Sequence, residues 1–200
     1  MNQYQLDSKE LSIVTDADWL LHKNRIIEKV FQLFGALQLA MAADRVISAF
    51  PVEGAFSPKI SKGENYQGLP YVILDYPRLF SRDNIFACRT FFWWGRFFST
   101  TVHLGGEYLV PHRATLLASQ ALLAAEHWSV CIQDDPWQHH FEANNFLPIT
   151  SLSPEHWESI VQKSFVKLAK RYELQDWEKI IDKAVAAYAP LLELLNRGPV

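Results

Sequence analysis

The stretch from Ile85 to Leu104 reads IFACRTFFWWGRFFSTTVHL. It holds two runs of aromatic and β-branched residues, Ile85 to Trp94 and Phe97 to Leu104, on either side of Gly95-Arg96. Such side chains fit a pleated, packed surface. A two-residue loop with Gly first meets the backbone demand of a type II′ hairpin. That turn predicts a register, and a register sets the faces. Trp94 is expected opposite Phe97, and Cys88 opposite His103. One face then carries Cys88, Thr90, Ser99, Thr101 and His103. The other is apolar but carries Arg89, a charge that is costly there unless paired or solvated.

Working outward, Tyr71 to Tyr76 reads as a preceding strand ended by Pro77, and Ser81 to Asn84 as turn chemistry. Residues 51–70 are punctuated by Pro51, Gly54, Pro58, Gly63, Gly68 and Pro70, so they read as a long connection. Trp128 to Gln133 reads as a fourth strand, and 134–150 is ambiguous. Helices flank these strands. Thr15-Asp16-Ala17-Asp18 is a helix start, and Trp19, Ile27, Val30, Phe34 and Leu37 make one apolar stripe running to about Ala43. His112 to Glu126 is Ala- and Leu-rich and should be helical. Ser153-Pro154-Glu155 opens a C-terminal helix with the stripe Trp157, Ile160, Val161, Phe165, Leu168 and Tyr172. Trp177 to Leu195 makes a second, with Pro190 inside it. The expected fold is a single α+β domain over 1–200. It has a long helix at 15–43, an aromatic antiparallel meander of about four strands centred on 61–110, and a helical pair at 153–197.

The length suits one domain, and 49% hydrophobic residues against 20% charged excludes a mostly disordered chain. A formal net charge of -3 argues against a nonspecific nucleic-acid binder, and only Arg89 and Arg96 lie near the aromatic run. The 2 cysteines, Cys88 and Cys131, cannot form a disulfide framework. Met1 to Ser12 is polar, and no apolar run reaches the roughly 18 residues of a membrane span. A cytoplasmic setting with reduced thiols and no membrane partner is expected. P-loop, dinucleotide-binding, nucleophile-elbow and zincin motifs are absent, and no cofactor is expected.

Polar residues embedded among the aromatics mark the candidate site. Asn65, Tyr66, Asp75, Arg89, His103 and Cys88 would meet where loop 61–70 joins the meander and bind a small molecule. Arg89 has two readings: an ion pair with Asp75 on the neighbouring strand, or an anion-binding guanidinium. Cys88 beside His103 is the enzyme alternative, since a neighbouring imidazolium lowers a thiol's pKa. A second enzyme alternative is a metal held by His139 or His140 with Asp135 and Glu142. Adjacent His139 and His140 point apart if extended, so both cannot easily serve one ion. A third class is a homodimer joined through the aromatic hairpin.

The runs Gly63-Glu-Asn-Tyr66, Gly68-Leu-Pro-Tyr71, Leu74-Asp-Tyr-Pro77 and Phe92-Trp-Trp-Gly95 resemble a motif set in a group of bacterial proteins of similar length. The likeness covers roughly residues 61–104. That group has no assigned activity, so the resemblance implies no function.

Overall fold

A computed structural model describes residues 4–50 and 57–197. The first part of the expected connection, 51–56, lies outside the described residues. Two helices open the chain, α1 (Ser8–Val14) and α2 (Ala17–Ala43). Asp16 rather than Thr15 caps α2, accepting the Trp19 N–H. A short α3 (Arg45–Ser48) follows. Strands β1 (Lys59–Tyr66), β2 (Leu69–Phe80), β3 (Ile85–Trp93) and β4 (Phe97–Gly105) form an antiparallel meander. Then come α4 (Arg113–Ala118), α5 (Gln120–Ala125), β5 (Ser129–Cys131), β6 (Phe146–Pro148), α6 (Pro154–Val161), β7 (Phe165–Tyr172) and α7 (Ile180–Arg197).

The fold is α+β with an antiparallel sheet, as expected, but the sheet has 7 strands in the order β1-β2-β3-β4-β7-β5-β6. Three differences account for the change. Residues 59–66 pair with β2 instead of looping. Residues 146–148 pair with β5. Phe165 to Tyr172 is a strand in mid-sheet, between β4 and β5, and not part of a C-terminal helical pair. β2 also runs past Pro77, which sits in a bulge between Asp75 and Arg78 where its missing N–H is tolerated.

The β3–β4 register is one residue off the expected one. Trp93 pairs with Phe97, Arg89 with Thr101, and Ala87 with His103. The connection is therefore three residues, Trp94-Gly95-Arg96, with Gly95 at φ +67. A residue in the left-handed region followed by a resumed ladder is the three-residue hairpin solution. One step of register sends Cys88 and His103 to opposite faces.

The helix-covered face carries Val72, Leu74, Phe86, Cys88, Phe92, Phe98, Val102, Leu104, Val166 and Leu168. Against it lie Val30, Phe34, Leu37 and Met41 of α2 with Ala184, Tyr188, Leu191 and Leu192 of α7. Each large side chain fully buried here stabilises the fold by roughly 1.5–3 kcal/mol. The Tyr188 hydroxyl meets Thr90 Oγ1 at 2.9 Å, satisfying a polar group inside that core. α2 is long and apolar enough to cross a membrane by length and composition, with a mean hydropathy of 1.4 over its best window. Its stripe is spent on the sheet, as a core helix's is. The other face carries Ile73, Phe91, Trp93 and Phe97, then Phe165, Ala169, Cys131 and Phe146. Among the described residues no helix covers it.

Candidate functional site

Residues 133–145 cross this second face as an irregular strap between β5 and β6. Its anchors come from two strands and the strap itself. Lys167 of β7, 2% exposed, donates from Nζ to the carbonyls of Pro136 at 2.6 Å and Gln138 at 2.7 Å. The Tyr66 hydroxyl, at the end of β1, accepts the backbone N–H groups of His139 at 2.7 Å and His140 at 3.1 Å. Asn145, fully buried, donates from Nδ2 to the His140 carbonyl. The Tyr66 hydroxyl's pKa is raised, chiefly by burial.

Beneath the strap lies a polar layer. Arg89 donates from Nε and Nη2 to the two carboxylate oxygens of Asp75, at 2.7 and 3.0 Å. Its Nη1 faces His139 Nε2 at 3.3 Å. A guanidinium only donates, so His139 accepts there and is neutral. Burial, and then the charges of Lys167 and Arg89, hold the His139 pKa well below the ordinary range. Trp137 lies over the Arg89 guanidinium at 5.6 Å. His103 is buried in the same layer, and its Nε2 has no hydrogen-bond partner among the described residues. Burial, then Lys167 and Arg89, lowers its pKa to about 3. Burial also lowers Lys167 to about 8. Lys167 has no carboxylate within ion-pair reach among the described residues.

Of the expected site residues, Tyr66, Asp75, Arg89 and His103 thus share one face. Asn65 does not join them: its Oδ1 accepts the Gly68 N–H at 3.0 Å and closes the β1–β2 turn. Cys88 lies on the helix side, fully buried, with its pKa pushed up by burial. A protonated thiol on the far side of the sheet from His103 cannot be activated by it, so that arrangement is withdrawn. The metal set is also not assembled. His139 turns to Arg89, while Asp135 accepts from the Trp137 N–H and the Gln138 amide. His140 stands apart with Glu142 at 3.9 Å. No group of three or more potential ligands converges among the described residues. Arg89 is occupied on both sides, which makes it a member of the strap's foundation and not a free anion receptor. Within the aromatic hairpin Phe91, Phe92, Trp93, Phe97 and Phe98 are all buried, so these five rings present no exposed surface to a partner.

The open feature sits at the strap's edge. There the β1–β2 turn meets the tip of the β3–β4 hairpin, leaving a notch of about 260 Å³. Trp93, Phe97 and Phe141 wall it, and Arg96, Arg171 and His140 line it. The Arg96 guanidinium lies over Trp93 at 5.4 Å and that of Arg171 over Phe97 at 5.1 Å. Stacking of this kind holds a guanidinium while leaving its N–H edge available; that of Arg96 has no hydrogen-bond partner among the described residues, whereas Arg171 also donates from Nη2 to Glu173 Oε1 at 3.2 Å. His140 is 7% exposed, and its Nδ1 has no hydrogen-bond partner among the described residues. The Glu142 carboxylate stands on the rim, too far from Nδ1 to bond.

Sequence reasoning missed Arg171 and Lys167 because it took 165–172 for helix. Leu168 and Tyr172 satisfy both a helical stripe and alternate strand positions, and the eight residues are too few to decide. The discriminating signal was the other parity, where Lys167 and Arg171 flank Ala169. No family model, curated protein or solved structure matches the chain.

Proposed function

We propose that the chain is a small-molecule-binding domain whose notch takes a small anion carrying a flat apolar group. The observation that carries this reading is His140. It is a buried imidazole with an unsatisfied nitrogen, lining the same notch as two stacked guanidiniums. A buried polar atom without a partner costs about 1–3 kcal/mol. A ligand oxygen that meets it recovers that cost, and Arg96 and Arg171 supply charge-assisted hydrogen bonds from either side. Trp93, Phe97 and Phe141 offer ring faces and edges to the ligand's apolar part. The volume lies just under the range of drug-sized sites, so the ligand is small. Glu142 guards the rim and must turn outward for an anion to enter. The strap and its buried layer give the site a rigid frame.

Both thiols are buried and unpaired, which supports a reducing, cytoplasmic setting for this activity. Titration calorimetry with phenyl phosphate as the probe tests the proposal. Saturable binding is expected, weaker with inorganic phosphate, which lacks the ring. The Arg96→Ala/Arg171→Ala variant should lose it and keep its thermal stability, because both side chains are exposed. Absence of binding to the unaltered protein, or equal binding by the variant, overturns the proposal.

A further inference from the structure

The first part of the chain lies outside the packed body. No residue of α1 is buried, and none in α2 precedes Ile27. Yet this segment is rich in large apolar side chains. Leu6, Leu11, Ile13, Val14, Trp19, Leu20 and Leu21 are 44 to 68% exposed. A seven-residue helix is marginal by itself, and most helical stability comes from covering an apolar face. Leu20 lies seven residues before Ile27, which lies seven before Phe34, so the buried stripe of α2 continues into the arm, where it stays exposed among the described residues. Ile13, Val14, Trp19 and Leu20 line an open hollow of about 370 Å³ where the two helices meet.

Charge chooses the occupant. Residues 4–21 hold four acids, Asp7, Glu10, Asp16 and Asp18, against Lys9 alone. Residues 22–30 hold Lys23, Arg25 and Lys29 against Glu28 alone. Lys23 is tied to Glu64 of β1 at 2.5 Å, which fixes the root of the arm to the body. Arg25 and Lys29 are exposed and have no ion-pair partner among the described residues, and neither has Asp18. An acidic tip followed by a basic root is self-complementary when two arms lie antiparallel. A two-fold axis near Leu20 and Leu21 sets each tip along its partner's root and closes the apolar stripes on each other. A membrane surface fits less well, since helices that lie on anionic bilayers carry basic polar faces and this tip is acidic. We infer that the arm, residues 4–26, is the interface through which two copies of this chain pair antiparallel, independently of the ligand notch.

Sedimentation equilibrium of the full chain across the micromolar range tests this. The unaltered protein should be a dimer. Leu20→Glu/Leu21→Glu should be monomeric with an unchanged melting temperature, since neither side chain is buried in one copy. Arg25→Glu/Lys29→Glu should weaken the dimer at least tenfold, and mixing it with Asp18→Lys should restore a mixed dimer. A monomer at every concentration overturns the inference. So does a dimer indifferent to the leucine changes or to the charge reversal. A monomer that floats with phosphatidylglycerol vesicles overturns it in favour of a membrane surface.

Discussion

Asp75 and Arg89 show what one pair of residues does for this sheet. Their side chains are 7% and 13% exposed, and both carboxylate oxygens accept. Breaking such a pair from one side strands a buried charge and costs about 3–5 kcal/mol. Arg89→Ala should therefore lower stability by that order in urea unfolding, whereas Arg89→Met combined with Asp75→Leu should lose much less. The pairing was legible in sequence, because a charge on an aromatic strand needs a partner and Asp75 was the carboxylate on the next strand. The buried histidines were not. Nothing local marks His103 for burial or His139 for its contact with Arg89; the strap that brings this about has no regular periodicity. Their pH behaviour follows from geometry. Both have folded pKa values below the unfolded one, so below about pH 6.5 the unfolded chain binds protons that the folded chain refuses. Stability should fall as pH drops from about 6.5, for His103 down to about 3, by up to about 1.4 kcal/mol per pH unit for each histidine. Lys167 acts in the same sense at the alkaline end. Its folded pKa of about 8 lies below the ordinary lysine value of 10.5, so stability rises with pH between them. Urea midpoints measured against pH check both, with His103→Leu flattening the acid limb and Lys167→Met the alkaline one.

At the scale of elements, the hairpin and the strap carry the lesson. The sequence placed the β3–β4 turn at Gly95 but chose a two-residue loop. Gly-Arg is compatible with either loop length, and aromatic residues on both sides of the tip leave no polar alternation to vote on register. Gly95 at φ +67 makes the choice testable. Gly95→Ala forces a Cβ into the left-handed region and should cost about 1–2 kcal/mol without changing the β3–β4 pairing. A single hydroxyl holds two of the strap's backbone amides. Tyr66→Phe leaves the His139 and His140 amides without their acceptor and should cost about 1–3 kcal/mol. Hydrogen exchange at those two amides should accelerate, while amides in the ladder between β3 and β4 should not change.

At the scale of the whole molecule, two faces have two kinds of cover. The helices shield one face with continuous apolar stripes, which is why they were readable by period. The strap shields the other with hydrogen bonds from Lys167, Tyr66 and Asn145. Contacts of that kind join residues up to 74 positions apart and leave no local pattern. The α+β class was legible for the first reason, and the candidate site was half legible for the second. Tyr66 and Arg89 were singled out as ligand contacts and proved to be parts of the frame, whereas His140 was weighed only as a metal ligand, Arg96 only as a charge near the aromatics, and Arg171 not at all. Glu142 tests the electrostatics of the notch. Glu142→Gln removes a rim carboxylate, and phenyl phosphate affinity should rise several-fold, more at low ionic strength than at high. The central claim is that His140 meets the ligand. Side-chain ¹⁵N resonances of the histidines, followed during a titration with phenyl phosphate, test it most directly. The His140 imidazole should shift saturably while His103, buried under the strap, and His139, held against Arg89, stay in place. An unmoved His140, or shifts spread equally over all three, would contradict the account.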